Sequence, residues 1–393
     1  VTTLPADLPD RIGAALRAFL DRQRGTLSRI TPDLEPAVEA VADFVAGGKR
    51  LRPAFAYWGW RGAGAADGPE IITAAASLEL LHASALMHDD VMDGSDTRRG
   101  MPAVHRRFAA LHRRAGWASS ADSFGTAAAI LLGDLCLVWS AAMLRGCGLP
   151  LPALHRGLAV YEEMCTEVMA GQYLDVFEQA RVAPVRQPAS EGQAVPETMM
   201  AAVLEAPEAT TAAVLETAPE TAPETALETA LRVARFKSAK YTVERPLHLG
   251  GTLAGGSPEL LAAYTAYGIP VGEAFQLRDD LLGVYGDPAQ TGKPAGDDLR
   301  EGKRTVLVAL AGQRADRRQA ALLAAHLGDP ALSAEGVAAL REVIAETGAL
   351  AEVERMIDER LRRGLAGLAV GPVEPAAATA LRELAVAATA RSG

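Results

Sequence analysis

The apolar positions of this chain recur at helical spacing over most of its length. Between about Leu8 and Gly25, residues Ile12, Leu16, Phe19 and Leu20 fall on one face of an amphipathic helix. A second helix is expected over about Pro36–Ala46, ending at Gly47-Gly48, a pair suited to a C-terminal cap. A third runs from about Glu70 to Asp93 and ends in acids. The most apolar segment, Ala127–Leu144, is interrupted by Gly133 and Asp134 and reads as a buried core helix, not a membrane span. Helical patterns continue over about Leu151–Ala180, from Leu231, and over about Pro258–Tyr285. Thr305–Arg391 reads as amphipathic packing helices.

One stretch breaks the period. From about residue 181 to 229 the composition shifts to Ala, Pro, Glu and Thr, and its end repeats ETAPETAPETALETAL. The prolines oppose a stable helix. Low complexity with few large apolar residues predicts a disordered or loosely helical insertion within one domain spanning 1–393. An inert linker is the favoured reading over a lid, because long loops close at little entropic cost.

Composition sharpens the class. Of the 393 residues 49% are hydrophobic and only 5% aromatic, with alanine and leucine dominant, so the fold is expected to be all-α. A net charge of −10 argues against broad nucleic-acid binding. Cys136, Cys147 and Cys165 show no CxxC spacing, which points to a reducing, cytoplasmic compartment. The first residues, VTTLPADLPDRIG, lack the basic-then-apolar order of a signal peptide, and no transmembrane segment is expected.

The chemistry gathers at Leu78–Gly100, where an apolar helix ends in three carboxylates and two arginines. Asp89 and Asp93 lie one turn apart on one helix face, beside Asp90, with Arg98 and Arg99 on the following turn. Like charges at that spacing repel, and a divalent cation would neutralise them. Lys49, Arg50 and Arg52 in GGKRLRP read either as a solvated loop or as a phosphate site. His82, two turns before Asp89, is by itself an ordinary core histidine. Gln172 and Asp175 share a face of a later helix. A second acidic group, Asp279 and Asp280 with Gln276, sits in AFQLRDDLLG. A polar loop with Lys293, Asp297, Asp298 and Lys303 follows, expected to be mobile over a site. Two acidic groups flanked by cations suit a polyphosphate ester held through Mg²⁺, a hard cation that shares carboxylates with substrate phosphates.

Together, GGKRLRP at 47–53, DDVMD at 89–93, the arginine pair and FQLRDDLLG at 275–283 resemble the trans-isoprenyl diphosphate synthases, or polyprenyl synthetases, and among them the geranylgeranyl diphosphate synthase type of actinobacteria. The second motif departs from a full DDxxD, since Gly283 holds the last acidic position. The resemblance implies a helical bundle around a deep central cavity, a homodimer, and head-to-tail condensation of isopentenyl diphosphate with an allylic diphosphate. It implies about three Mg²⁺ ions on Asp89, Asp93 and Asp279, with Asp90 and Asp280 in support. Lys49, Arg52, His82 and Arg99 would hold isopentenyl diphosphate. Arg98, Lys237 and Lys293 would hold the allylic diphosphate, with Gln276 near the reacting group and Ser238 beside Lys237. Lys237 is preferred to Lys240 for this role.

Product length is read along the acidic helix. Ser84 and Ala85, about one turn before Asp89, are small where family members that stop at shorter products carry aromatics. Leu81 and Leu78 then form the next barrier, and geranylgeranyl or somewhat longer products are expected. Two alternatives stand beside this reading. A class I terpene cyclase also ionises prenyl diphosphates, but would carry an Asn/Ser/Glu metal motif. A non-catalytic subunit of a heteromeric synthase tends to lose the acids that this chain keeps.

Overall fold

The computed structural model describes residues 7–181, 224–287 and 296–390. The insertion between 182 and 223, and Lys293, lie outside the described residues.

The described chain is helical apart from one short hairpin. Its first part holds α1 (Leu8–Ser28), α2 (Glu35–Ala46), α3 (Leu51–Gly62) and α4 (Pro69–Met92). A two-residue ribbon, β1 (Thr97–Arg98) and β2 (Met101–Pro102), pairs antiparallel with Arg98 opposite Met101. Then come α5 (Val104–Ala115), α6 (Ala121–Arg145) and α7 (Leu151–Arg181). After the insertion, α8 (Ala226–Val233) runs into a π-helical segment (Ala234–Glu244), then α9 (Arg245–Leu253) and α10 (Pro258–Tyr285). The remainder is α11 (Asp297–Glu301), α12 (Val306–Arg314), α13 (Arg317–His326), α14 (Ala334–Glu346), α15 (Ala349–Ala369) and α16 (Pro375–Thr389).

Local chemistry sets several boundaries. Ser120, Ser257, Thr305 and Ser333 each accept a hydrogen bond from the backbone of the helix they start. Thr225 and Glu228 form a reciprocal capping box, so α8 begins inside the repeat, directly after its last proline. The helix from Ala226 thus begins within the stretch read as a disordered or loosely helical insertion.

Two cores hold the bundle. The larger gathers α1, α3, α4, α6, α7 and α9, with α4 through its middle. Ile71, Leu78, Leu80, Leu81 and Met87 of α4 are all buried, on more than one face. The smaller core packs α12, α14 and α15 on the C-terminal half of α10, through Leu277, Leu281 and Val284. The first half of α10 supplies Tyr264, Tyr267 and Val271 to the larger core, so this helix ties the two together. Both α4 and α6 are long and apolar enough to cross a membrane, and 72% of the apolar window of α4 is buried inside the fold. The expectation of a buried core helix at Ala127–Leu144 needs correcting. Leu132, Cys136, Trp139 and Met143 face inward, but Ile130, Leu131 and Val138 are exposed. Only one face of α6 is core.

The π-helical segment is wedged between α7 and α10. Gly171 of α7 meets its backbone at Phe236–Lys237, and Gly272 and Gly268 of α10 meet it at Ala239 and Glu244. A side chain at any of these glycines would collide with backbone. Glycine is what lets three helices approach this closely.

Candidate active site

The C-terminal end of α4 delivers the first acidic group. Asp90 is fully buried, and Arg98 from the β-ribbon donates to it through Nε at 2.8 Å and through Nη2. The same guanidinium reaches Asp89 Oδ2 at 3.5 Å. Asp89 Oδ1 accepts from Gln172 Nε2 of α7 at 3.1 Å and lies 3.5 Å from Lys237 Nζ. Lys237 also donates to Asp175 of α7 at 2.5 Å. Lys240, one turn on, points away to Glu167 and Glu244. Ser238, next to Lys237, is buried.

The second acidic group, on α10, approaches through a strap. Gln276 donates to Asp280 at 2.6 Å, and Asp280 is buried while Asp279 is exposed on the same turn. Lys303, just after α11, lies 3.3 Å from Asp93 Oδ2, 3.5 Å from Asp298 Oδ1 and 2.6 Å from Glu301 Oε2. Asp298 presses against Gly283, where a Cβ would collide with its carboxylate. The acid missing from the second motif thus has its place filled by Asp298, from the polar loop. Neither Asp298 nor Lys303 had a role assigned from the sequence, and the loop's GDDLREGK composition was their only signal.

Burial dominates the electrostatics of these acids. Burial, with Asp89 and Glu301 adding to it and Lys303 opposing, raises Asp93 to about 6. Burial, with Asp298 and Asp279 nearby, raises Asp280 to about 8. Burial alone would depress the Lys303 ammonium, but Asp298, Asp93 and Glu301 outweigh it and push it well above its ordinary value. Among the described residues no three of these groups already converge in a metal-ligand arrangement. The acids are held by lysine and arginine partners instead. Clustered carboxylates, two of them raised chiefly by burial, are a hard-oxygen donor set suited to Mg²⁺.

Beside the acids lies a cationic group. Arg52 donates through Nη2 to Thr242 at 2.9 Å and sits 4.3 Å from the Tyr241 ring centroid. His82 is half-buried, and desolvation together with Arg52, Arg99, Arg98 and Arg50 drives its pKa well below the usual value. His82 Nδ1 and Arg52 Nε are buried without a hydrogen-bond partner among the described residues. Arg99 takes a left-handed backbone, φ 54°, and reaches the Gly47 carbonyl at 3.4 Å. Lys49 is exposed on the same turn. Down α4 from the acids, Ala85 is half-buried, and Ser84 and Leu81 are buried. Two surface hollows, of about 500 and 380 Å³, are lined by groups including His326 and Leu332, and Arg235 and Arg363. Neither is lined by Asp89, Asp90, Asp93, Asp279 or Asp280.

The polyprenyl synthetase family profile matches residues 35–344. The chain belongs to the polyprenyl synthetase family. Over 322 residues it is 30% identical to a short chain isoprenyl diphosphate synthase of Methanothermobacter thermautotrophicus, covering 81% of this chain and 79% of that one. It is also 30% identical to a geranylgeranyl diphosphate synthase of Mycobacterium tuberculosis, over 82% of this chain and 75% of that one. Among solved structures, a geranylgeranyl pyrophosphate synthase of Corynebacterium glutamicum, in complex with isoprenyl diphosphate and magnesium, superposes with a TM-score of 0.85. Its identity is 40%, covering 98% of this chain and 99% of that one. The expected all-α fold and the resemblance to actinobacterial synthases both hold, as does the expected class of prenyl-transferring enzyme. Relatives of similar identity are farnesyl and geranylfarnesyl diphosphate synthases, so relatedness alone leaves product length open.

Proposed function

We propose that this polyprenyl synthetase is a Mg²⁺-dependent enzyme that condenses isopentenyl diphosphate with an allylic diphosphate to give geranylgeranyl diphosphate or a somewhat longer all-trans product. The observation that supports the site assignment is the Asp93–Lys303–Asp298–Gly283 chain of contacts, which links the end of α4 to the second motif on α10. Asp89, Asp93 and Asp279 are the metal ligands in this reading, with Asp90 and Asp280 behind them. Magnesium there would draw charge from the departing diphosphate.

The protein's own groups supply the rest. Lys237 and Arg98 hold the allylic diphosphate and stabilise its charge as the carbon–oxygen bond breaks. Arg52, His82, Lys49 and Arg99 hold isopentenyl diphosphate, whose oxygens would satisfy the orphaned Arg52 Nε and His82 Nδ1. His82 serves as a hydrogen-bond donor. Gln276 stands by the allylic group. The double bond of isopentenyl diphosphate attacks the allylic cation, and a proton leaves to the released diphosphate. The chain grows along α4 past Ala85 and Ser84 toward Leu81.

In this reading the enzyme is a cytoplasmic homodimer. The exposed apolar face of α6 and the three free cysteines support that reading. Incubation with isopentenyl and farnesyl diphosphates, with and without Mg²⁺, tests the activity. Product formation that is indifferent to metal would count against it.

A further inference from the structure

Between α2 and α3 the chain turns one arginine inward. Arg50 adopts a left-handed backbone, φ 53°, ψ 34°, a conformation that a side-chain-bearing residue rarely takes. Its guanidinium is buried. Nη2 donates to the carbonyls of Val45 at 2.5 Å and Ala46 at 3.2 Å, the last turn of α2. Nη1 donates to Glu79 of α4. Both side chains are only 6% exposed. Glu79 lies one turn before His82 on α4. Arg50, Arg52, Arg98 and Arg99 all act electrostatically on His82. Glu79 is the carboxylate that offsets them at Arg99. From the other side Arg99 reaches the Phe44 and Gly47 carbonyls. The turn is gripped from two directions, and Arg52 follows directly after it.

We infer that Arg50 and Glu79 are positioning residues, an internal clamp that locks the Lys49–Arg52 turn in register with His82 and so preforms the isopentenyl diphosphate site. The inference rests on the function proposed above. A left-handed arginine persists only where its surroundings hold it. The buried carboxylate does so while neutralising the Arg50 guanidinium. Lys49 stays exposed and Arg52 half-buried for the substrate. Preorganisation of this kind acts on binding of one substrate, not on the ionisation of the other.

The experiment uses the full chain with both substrates varied. Glu79→Gln is expected to raise KM for isopentenyl diphosphate by about ten- to a hundredfold, with kcat and KM for the allylic diphosphate changed by less than about twofold. Because removing one partner leaves a buried charge, the double variant Arg50→Met with Glu79→Leu is measured as well. It removes both charges and is expected to melt close to wild type, yet show the same selective rise. Arg50→Lys, which keeps the buried charge pair, is expected to raise KM for isopentenyl diphosphate less than the double variant does. Equal rises in both KM values, a loss confined to kcat, or a double variant with wild-type kinetics overturns the inference. A wild-type protein that condenses neither substrate sinks the functional reading and this inference with it. An active wild type with an unselective variant sinks the inference alone.

Discussion

Replacing Gly171 with alanine is the sharpest perturbation the packing offers. The new methyl would lie 2.6 Å from the Phe236 carbonyl carbon and 2.7 Å from the Lys237 Cα. Both are backbone atoms, so no side-chain rotation relieves the clash. Ordinary contact begins near 3.4 Å and the Lys237 backbone nitrogen lies nearer still, so α7 and the π-helical segment must part by about 1 Å. The displaced segment carries Lys237, which bridges Asp175 and Asp89. A shift of about 1 Å at a group that positions the substrate costs about a hundredfold in rate. Stability receives two opposed contributions. Alanine in a helix gains about 1 kcal/mol over glycine, while overpacking costs about 1–3 kcal/mol. Gly25 in α1 has nothing within 4 Å of its would-be Cβ, so Gly25→Ala isolates the first effect. Thermal melts and kcat/KM for the allylic diphosphate are measured on both. Gly25→Ala is expected to melt at or above wild type with full turnover. Gly171→Ala is expected to stay helical by circular dichroism, melt lower and lose about a hundredfold in kcat/KM. Wild-type turnover in Gly171→Ala would refute the argument from close approach, because Lys237 would then not need its present place.

Gly283→Asp restores the acid of a full DDxxD motif but drives its Cβ into the Asp298 carboxylate, so activity is expected to fall about tenfold or more in a steady-state assay. A gain in activity would show that Asp298 does not fill that role. Ala85→Phe is expected to shorten the product seen by chromatography, and an unchanged product would remove α4 as the ruler. In metal-free protein, Asp93 near 6 and Asp280 near 8 bind protons more tightly folded than unfolded. Their contribution to stability is therefore full below the ordinary carboxylate value and is lost as pH rises through those folded values. Mg²⁺ is expected to raise the melting temperature more at pH 8 than at pH 6, and an equal gain at both would contradict the raised values of these carboxyls.

What could be read from the sequence follows from what is local. Asp89 and Asp93 at one-turn spacing, and Gln276 one turn before Asp280, are facts of helix geometry, and the structure keeps them on shared faces. The helical period also gave α1 and α10 closely. Partnerships across the fold were hidden. Asp298 lies against Gly283 only because α11 docks on α10, and no spacing announces that. Arg50 and Arg52 look alike in GGKRLRP, and only the left-handed turn sends one inward to Glu79. The π-helical segment has no periodic signature of its own, and its trace lies in glycines of other helices, Gly171, Gly268 and Gly272. Hydropathy overstated the burial of α6, since an apolar helix reads the same whether its second face meets a core or the surface.

The central claim is that these two acidic groups and the cations around them form one site that joins two diphosphate substrates. Purified protein is incubated with isopentenyl and farnesyl diphosphates, with Mg²⁺ or with a chelator, and the products are separated by chain length. The account predicts geranylgeranyl diphosphate or a longer homologue, formed only with metal and nearly abolished by Asp89→Asn. Absence of elongation with metal present, or release of a cyclised hydrocarbon from farnesyl diphosphate alone, would contradict it.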